Sequence, residues 1–92
     1  MNIQNIDLRL LRSLFVISRT GNYGKASHSL SITQSALSQQ MKELSYYFSE
    51  PLFEKKGRQS YLTEFGKNLI ARIEPLIDQI DETLLETLYQ SK

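Results

Sequence analysis

Between Tyr23 and Phe48 the chain reads YGKASHSLSITQSALSQQMKELSYYF, and the break in its middle constrains the fold more than any other feature. A short helical run from Tyr23 to Leu30 stops at Ser31-Ile32-Thr33, and a longer run begins at Gln34. Wound at 100° per residue, the second run puts Leu37, Met41, Leu44 and Phe48 on one narrow apolar stripe. Ser35, Ser38, Gln39 and Lys42 fall on the opposite face, with Tyr46 further along. That face carries hydroxyls, an amide and a cation but no carboxylate. Such groups can hydrogen-bond base edges in a major groove without repelling phosphate. Leu30, Ile32 and Leu37 bracket the break so that both helices bury into one core, and Ala26 and Ser27 are small where they must cross. The pattern predicts a helix-turn-helix. An ordinary amphipathic helix pair meets the same description. One residue runs against the pattern: Ser31 stands where a tight turn often needs a left-handed residue, a conformation costing an L-residue about 1 kcal/mol or more.

The flanking segments have their own signals. A first helix is predicted from about Ile6 to Thr20, with Leu8, Leu11, Leu14 and Phe15 on its buried face and Leu10 and Ile17 at the margins. Asp7 suits its positive end, and Gly21 its left-handed terminus. Arg9, Arg12 and Arg19 gather on the outer side, where they could touch phosphates, although a solvated face is the expected reading. Asn22 caps the second helix, and Lys25, on its first exposed turn, is a phosphate-contact candidate. Thr33 caps the third helix, whose free amides can approach a phosphate, making Thr33 a further backbone candidate, and Lys42, the cation of the outer face, is another. Gln34 is the sharpest base-reading candidate, since its amide can pair with adenine N6 and N7 together; Ser35, Ser38 and Gln39 extend the same surface. Tyr46 and Tyr47 are expected to pack against neighbouring elements.

After Glu50-Pro51 the pattern changes. Phe53-Glu54-Lys55 and Ser60-Tyr61-Leu62 alternate as two short strands about a turn at Gly57, and Lys55, Lys56 and Arg58 form the densest basic cluster of the chain. This is the wing of a winged helix-turn-helix, with Lys56 and Arg58 expected on the DNA backbone and Arg58 able to enter a narrow minor groove. Thr63 then caps a long helix reaching nearly to Gln90. Ile70, Ile73, Ile77, Ile80 and Leu84 recur in steps of three and four, widened by Leu69, Leu76 and Leu88. Such a seam on a helix extending from a small body needs a partner, and a second copy of the same helix is the expected one. Pro75 interrupts the seam and predicts a kink.

Taken together, Leu11, Leu14-Phe15, Gly21, Ala26, Leu30, Thr33-Gln34-Ser35-Ala36-Leu37-Ser38, Leu44, Pro51-Leu52-Phe53-Glu54, Gly57-Arg58 and Leu62-Thr63 resemble the N-terminal DNA-binding domain of a LysR-type transcriptional regulator. The likeness runs in register from Asp7 to Gly66 and more loosely through the following helix. It implies a mainly α fold, three helices and a two-stranded wing (1–63) followed by a linker or dimerisation helix (64–92). It also implies sequence-specific binding of double-stranded DNA as a dimer on an inverted repeat, with an effector-binding domain to follow. The chain departs from the family pattern at Ser27, usually Ala; at Gln39 and Lys55, usually Arg; and at Phe48-Ser49, usually Leu-Gly. Gln39 alters the reading face and with it the preferred base. Ser49 in place of a helix-ending Gly leaves that terminus strained or frayed.

Composition fits this picture. Ninety-two residues, 40% of them apolar and none Cys, suit one disulfide-free domain of a reducing cytoplasm. The first seven residues lack a secretory pattern, and no run approaches membrane-span length. Net charge is only +1, but residues 1–63 carry eight Lys/Arg against four Asp/Glu, and residues 64–92 three against six. A basic head on an acidic tail suits a module whose first part meets phosphate. His28 is the lone histidine, so no metal site is expected, nor a cofactor, nor a small molecule bound by this segment. One His, no Cys and no phosphate-cradling loop argue against an enzyme. The competing reading is a winged-helix module that binds protein through the same faces.

Overall fold

The computed structural model describes residues 2–90; Met1, Ser91 and Lys92, the outermost residues of the two segments drawn above, lie outside the described residues. A single 3-10 turn, Ile3–Asn5, leads into α1 (Leu8–Thr20), α2 (Tyr23–Leu30), α3 (Gln34–Ser45), β1 (Phe53–Lys56), β2 (Gln59–Leu62) and α4 (Glu64–Gln90). The fold is the expected one, mainly helical with a two-stranded antiparallel wing. Each helix start is capped as its sequence requires. Asp7 accepts from the Arg9 amide, Asn22 from Lys25, Thr33 from Ala36 and Thr63 from Gly66, a class of bond that contributes about 1 kcal/mol each.

The α2–α3 turn satisfies its own backbone. Ser31 adopts the left-handed conformation (φ 58°, ψ 41°) anticipated for it. Its amide donates to the His28 carbonyl (3.1 Å), and the Ile32 amide to the Ser27 carbonyl (3.0 Å), the paired bonds of a Schellman terminus. Ile32, packed against the core, supplies that terminus with its apolar contact. Thr33 follows at once as the cap of α3, so three residues end one helix and start the next.

Around that turn lies one core. Leu14 of α1, Leu37 and Leu44 of α3 and Leu52 before β1 are fully buried. In α1 the buried face is broader than expected and displaced: Leu10 and Ile17, placed at its margins by periodicity, are buried, while Leu8 is 41% exposed. The cause is that α1 packs against three helices, α2, α3 and α4, which cover more of it than one apolar stripe. Ser13 is buried among apolar neighbours and donates to the Gln40 Oε1 (2.7 Å), a polar tie between α1 and α3.

The end of α3 also differs from expectation. The helix stops at Ser45, and Tyr46, Tyr47 and Phe48 donate their amides three residues back, to Glu43, Leu44 and Ser45, tightening the last turn instead of using a left-handed residue. Phe48 leaves the α3 stripe to meet Phe65 edge-on at 5.7 Å. Tyr47 is half-buried, its hydroxyl donating to the Asn5 carbonyl. Tyr46, expected to pack, is 72% exposed.

α4 runs unbroken through Pro75. Pro75 and Ala71, whose carbonyl loses its usual donor, both lie on the exposed side, where water can replace the missing bond. The seam drawn along this helix divides between two roles. Ile70 and Ile77 are buried in the protomer's own core and so are not free to meet a second copy, whereas Ile73 and Leu69 pack against that core and remain partly exposed. Leu76, Ile80, Leu84 and Leu85 are exposed by 41–62%. The seam therefore turns inward at Ile70 and Ile77 and outward from Ile80.

The cations of α1 lie on a solvated face, as expected, but each also meets a carboxylate. Arg12 forms a two-bond pair with Asp81 of α4 (2.9 and 2.8 Å), and Arg19 pairs with Glu74. The partners are seven residues apart on each helix in opposite order, which fixes α4 antiparallel to α1. Arg9 pairs with Asp7 beside it.

At the other end of α4, the Thr63 hydroxyl donates to the Pro51 carbonyl (2.7 Å), and the Thr63 amide donates to the Leu52 carbonyl (3.0 Å). A Cβ on Gly66 would lie 2.6 Å from that same Leu52 oxygen. Helix propensity alone favours Gly66→Ala by about 1 kcal/mol, but the backbone contact reverses the sign. The variant should lose about 1–3 kcal/mol in urea unfolding; a gain in stability would mean that the close approach does not exist. A second expectation concerns pH. The Arg12 guanidinium holds the Asp81 carboxyl below its ordinary value, so this pair stabilises the fold above the unfolded carboxylate pKa and ceases to do so as pH falls through the lowered one. Asp81→Asn should therefore lower the melting temperature near about pH 7, and the gap to the unaltered chain should narrow steadily as pH falls below the ordinary carboxylate range of about 4. A pH-independent gap would refute the assignment.

Candidate nucleic-acid interface

One side of the molecule combines α3, the start of α2 and the wing. Gln34, Ser35, Ser38 and Gln39 of α3 are all exposed, as are Lys25, Thr33 and Lys42. The periodicity that buries Leu37, Met41 and Leu44 turns these polar side chains outward. Thr33 is held as the helix cap, its Oγ1 accepting from the Ala36 amide. The Gln34 side chain leans across Gly24, and a Cβ at that glycine would come within 3.4 Å of Gln34 Nε2 and of Asn22 Oδ1.

The wing is a tight hairpin. Lys56 pairs with Gln59 across a two-residue turn, with positive φ at Gly57 (68°) and not at Arg58, the arrangement that matches the twist of adjoining strands. Its register sorts the cations. Paired residues share a face, so Phe53, Lys55, Ser60 and Leu62 lie on one side and Glu54, Lys56, Gln59 and Tyr61 on the other. The first side is turned toward the body: Phe53 packs edge-on against Tyr23 at 5.5 Å. Burial pushes the Tyr23 hydroxyl up to about 12, so it remains a neutral phenol. Lys56 therefore lies on the opposite face of the hairpin from Lys55. It sits on the outer side, 3.7 Å from the Glu54 carboxylate and 6.0 Å over the Tyr61 ring.

Between α3 and the wing runs a groove in two parts. The polar part, about 450 Å³, is lined by Gln34, Ser38, Lys55, Arg58 and Ser60, with the start of α2 at its end. The second, about 470 Å³, has Ser38, Lys42 and Tyr46 on its rim over a floor that includes Met41 and Phe53. No carboxylate lines either part. Among the described residues, Lys25, Lys42, Lys55 and Arg58 form no ion pair, whereas Arg9, Arg12, Arg19, Lys56 and Lys67 each have a carboxylate partner. The unpaired cations of the first 63 residues all belong to α2, α3 and the wing.

The family model described as bacterial regulatory helix-turn-helix protein, lysR family, matches residues 8–67. Among curated proteins, the HTH-type transcriptional activator CmpR of Synechocystis is 36% identical over 87 residues, which is 91% of this chain and 29% of that protein. The HTH-type transcriptional regulator DgdR of Burkholderia cepacia is 36% identical over 83 residues, 90% of this chain and 28% of that one. The chain thus spans under a third of the length of these relatives. Among solved structures, a BenM DBD/catB site 1 DNA complex superposes with a TM-score of 0.86 at 24% identity, covering 95% of this chain and 98% of that one. That likeness is one of fold, and the sequence matches supply the kinship: the chain belongs to the lysR family of bacterial regulatory helix-turn-helix proteins.

Proposed function

We propose that this chain is the sequence-reading module of a bacterial transcriptional regulator, seating α3 in the major groove of double-stranded DNA with the wing at the neighbouring backbone and minor groove. The observation that carries this reading is the outer face of α3: Gln34, Ser35, Ser38 and Gln39 are exposed together, free of carboxylates and flanked by unpaired cations. Gln34 and Ser38 stand where base edges would be read, with Ser35 and Gln39 beside them. Lys25, Lys42 and Arg58 supply positive charge on either side, with the amide end of α3 at Thr33 adding its partial charge. Relatives named as transcriptional regulators and a fold neighbour solved with DNA support the assignment. The competing reading, a protein-binding winged helix, is disfavoured by the same distribution of charge.

Two copies paired through the outward half of α4 form the proposed functional unit. Leu76, Ile80, Leu84 and Leu85 present the apolar surface, and twofold pairing sets two α3 helices on the half-sites of an inverted repeat.

Selection of duplexes from a random pool, followed by fluorescence anisotropy at several salt concentrations, tests the reading. Affinity should fall steeply with salt. Gln34→Ala should lower the preference for the selected site over random duplex by about 1–3 kcal/mol, and Arg58→Ala should weaken all sequences alike. No salt-sensitive binding to any duplex would favour the protein-binding alternative. For the dimer, Ile80→Asp with Leu84→Asp should abolish concentration-dependent association in sedimentation and weaken binding to the full inverted repeat far more than to one half-site. Equal losses on both duplexes would exclude pairing through α4.

A further inference from the structure

We infer that α1 splints α4 across Pro75, and that the pairs Arg19–Glu74 and Arg12–Asp81 thereby select the half-site spacing that two paired chains accept. The inference rests on the paired DNA-binding reading above and deepens it. Pro75 has no amide hydrogen, so the Ala71 carbonyl lacks its helical donor, and α4 resists bending less there than elsewhere. The soft point falls where the helix changes role. Before it, Gly66 and Ile70 are buried, and Phe65, Leu69 and Ile73 pack against the core. Just past it, Ile77 is the last buried residue among the described residues of α4. The half that follows carries Ile80, Leu84 and Leu85, the surface proposed for pairing.

The two pairs are placed to stiffen that point. Glu74 directly precedes Pro75, and Asp81 follows it on the same face of the helix, seven residues on from Glu74. Both carboxylates are held by one element, α1, through Arg19 and through Arg12, the latter with two bonds of 2.9 and 2.8 Å. Among the described residues of α4 after Ile77, Asp81 alone is partly buried. Such pairs are individually weak; the missing backbone bond is what lets them set an angle. Arg12 and Arg19 are therefore positioning residues, acting on α3 through the direction of α4. The lever is long enough to matter. Leu85 lies about 15 Å beyond Pro75 along the helix, so a kink of about 20°, modest for a proline, would move it by about 5 Å. One base pair rises about 3.4 Å. An unbraced α4 would thus accept spacers that differ by a base pair or more.

The test uses selected half-sites in duplexes whose spacer is lengthened or shortened by one or two base pairs, read by fluorescence anisotropy. The unaltered chain should show one preferred spacer, with affinity lower by about tenfold or more two base pairs away. Glu74→Gln with Asp81→Asn, confirmed folded by thermal melting, should keep its affinity for a single half-site within about twofold. It should lose the preference, the same duplexes then differing by less than about threefold. Arg12→Gln with Arg19→Gln breaks the same pairs while shifting net charge the opposite way, and should flatten the profile equally. Adding Pro75→Ala to either double variant should restore the preferred spacer, because the regained backbone bond stiffens α4 unaided. Pairs that only stabilised the fold would change the melting temperature and leave the spacer profile alone. If both double variants keep the profile, or Pro75→Ala restores nothing, the splint is overturned while pairing and DNA binding stand. If the unaltered chain binds the inverted repeat no better than one half-site, pairing fails and the splint with it. If it binds no duplex, the DNA-binding reading fails as well.

Discussion

The geometry of the proposed interface depends on the three residues that join α2 to α3. A turn this short leaves no slack, so the direction of α3 is set by whether every backbone group in it finds a partner. Ser31 takes a left-handed conformation that costs an L-residue about 1–2 kcal/mol. In return, its amide and that of Ile32 close the last turn of α2, and Thr33 opens α3 with no intervening residue. The buried contacts of Ile32, Leu37 and Leu44 then hold the two helices against α1. The Ser13–Gln40 bond adds a directional constraint that apolar packing lacks, because rotating α3 about its axis would strand a buried hydroxyl. The orientation of Gln34 and Ser38 toward the wing is a consequence of these ties.

Charge is allocated along the chain by the same folding. The arginines of α1 bind carboxylates of α4, joining the helix that ends the chain to the helix that begins it. These pairs are partly exposed and contribute modestly, the bidentate Arg12–Asp81 pair most. Their larger effect is on distribution, since they neutralise positive charge on α1. The cations left unpaired in the first 63 residues are those of α2, α3 and the wing. A net charge of +1 therefore understates the field on the reading side.

The features legible in sequence are the ones set by near neighbours. Asn22, Thr33 and Thr63 cap the helices their positions announced, Ser31 is left-handed, and Gly57 turns the wing. What escaped depends on contacts between distant residues or on register. Heptad spacing cannot say whether an apolar seam meets its own body or a second copy, and in α4 it does the first at Ile70 and Ile77 before turning outward at Ile80. Arg12 and Asp81 are 69 residues apart, beyond any local pattern. Lys55 and Lys56 are adjacent and chemically alike, and only the pairing of Lys55 with Ser60 separates them. The Gly66 approach to Leu52 likewise exists only once α4 has docked.

The division of α4 bears on how pairing and DNA docking would relate. Leu76, Ile80, Leu84 and Leu85 are already about half covered, so burying the remainder yields about 1 kcal/mol for each. Two copies contribute about eight such side chains, a gain of about 8 kcal/mol. Association costs about 4–15 kcal/mol in lost translational and rotational freedom. The two nearly cancel, so pairing through this surface alone is weak. A duplex bearing two half-sites changes the balance, because binding one copy raises the effective concentration of the second. In the proposed assembly the inverted repeat thus acts as a template for the dimer as well as its target, and the antiparallel clasp of α1 on α4 fixes the distance between the two reading helices.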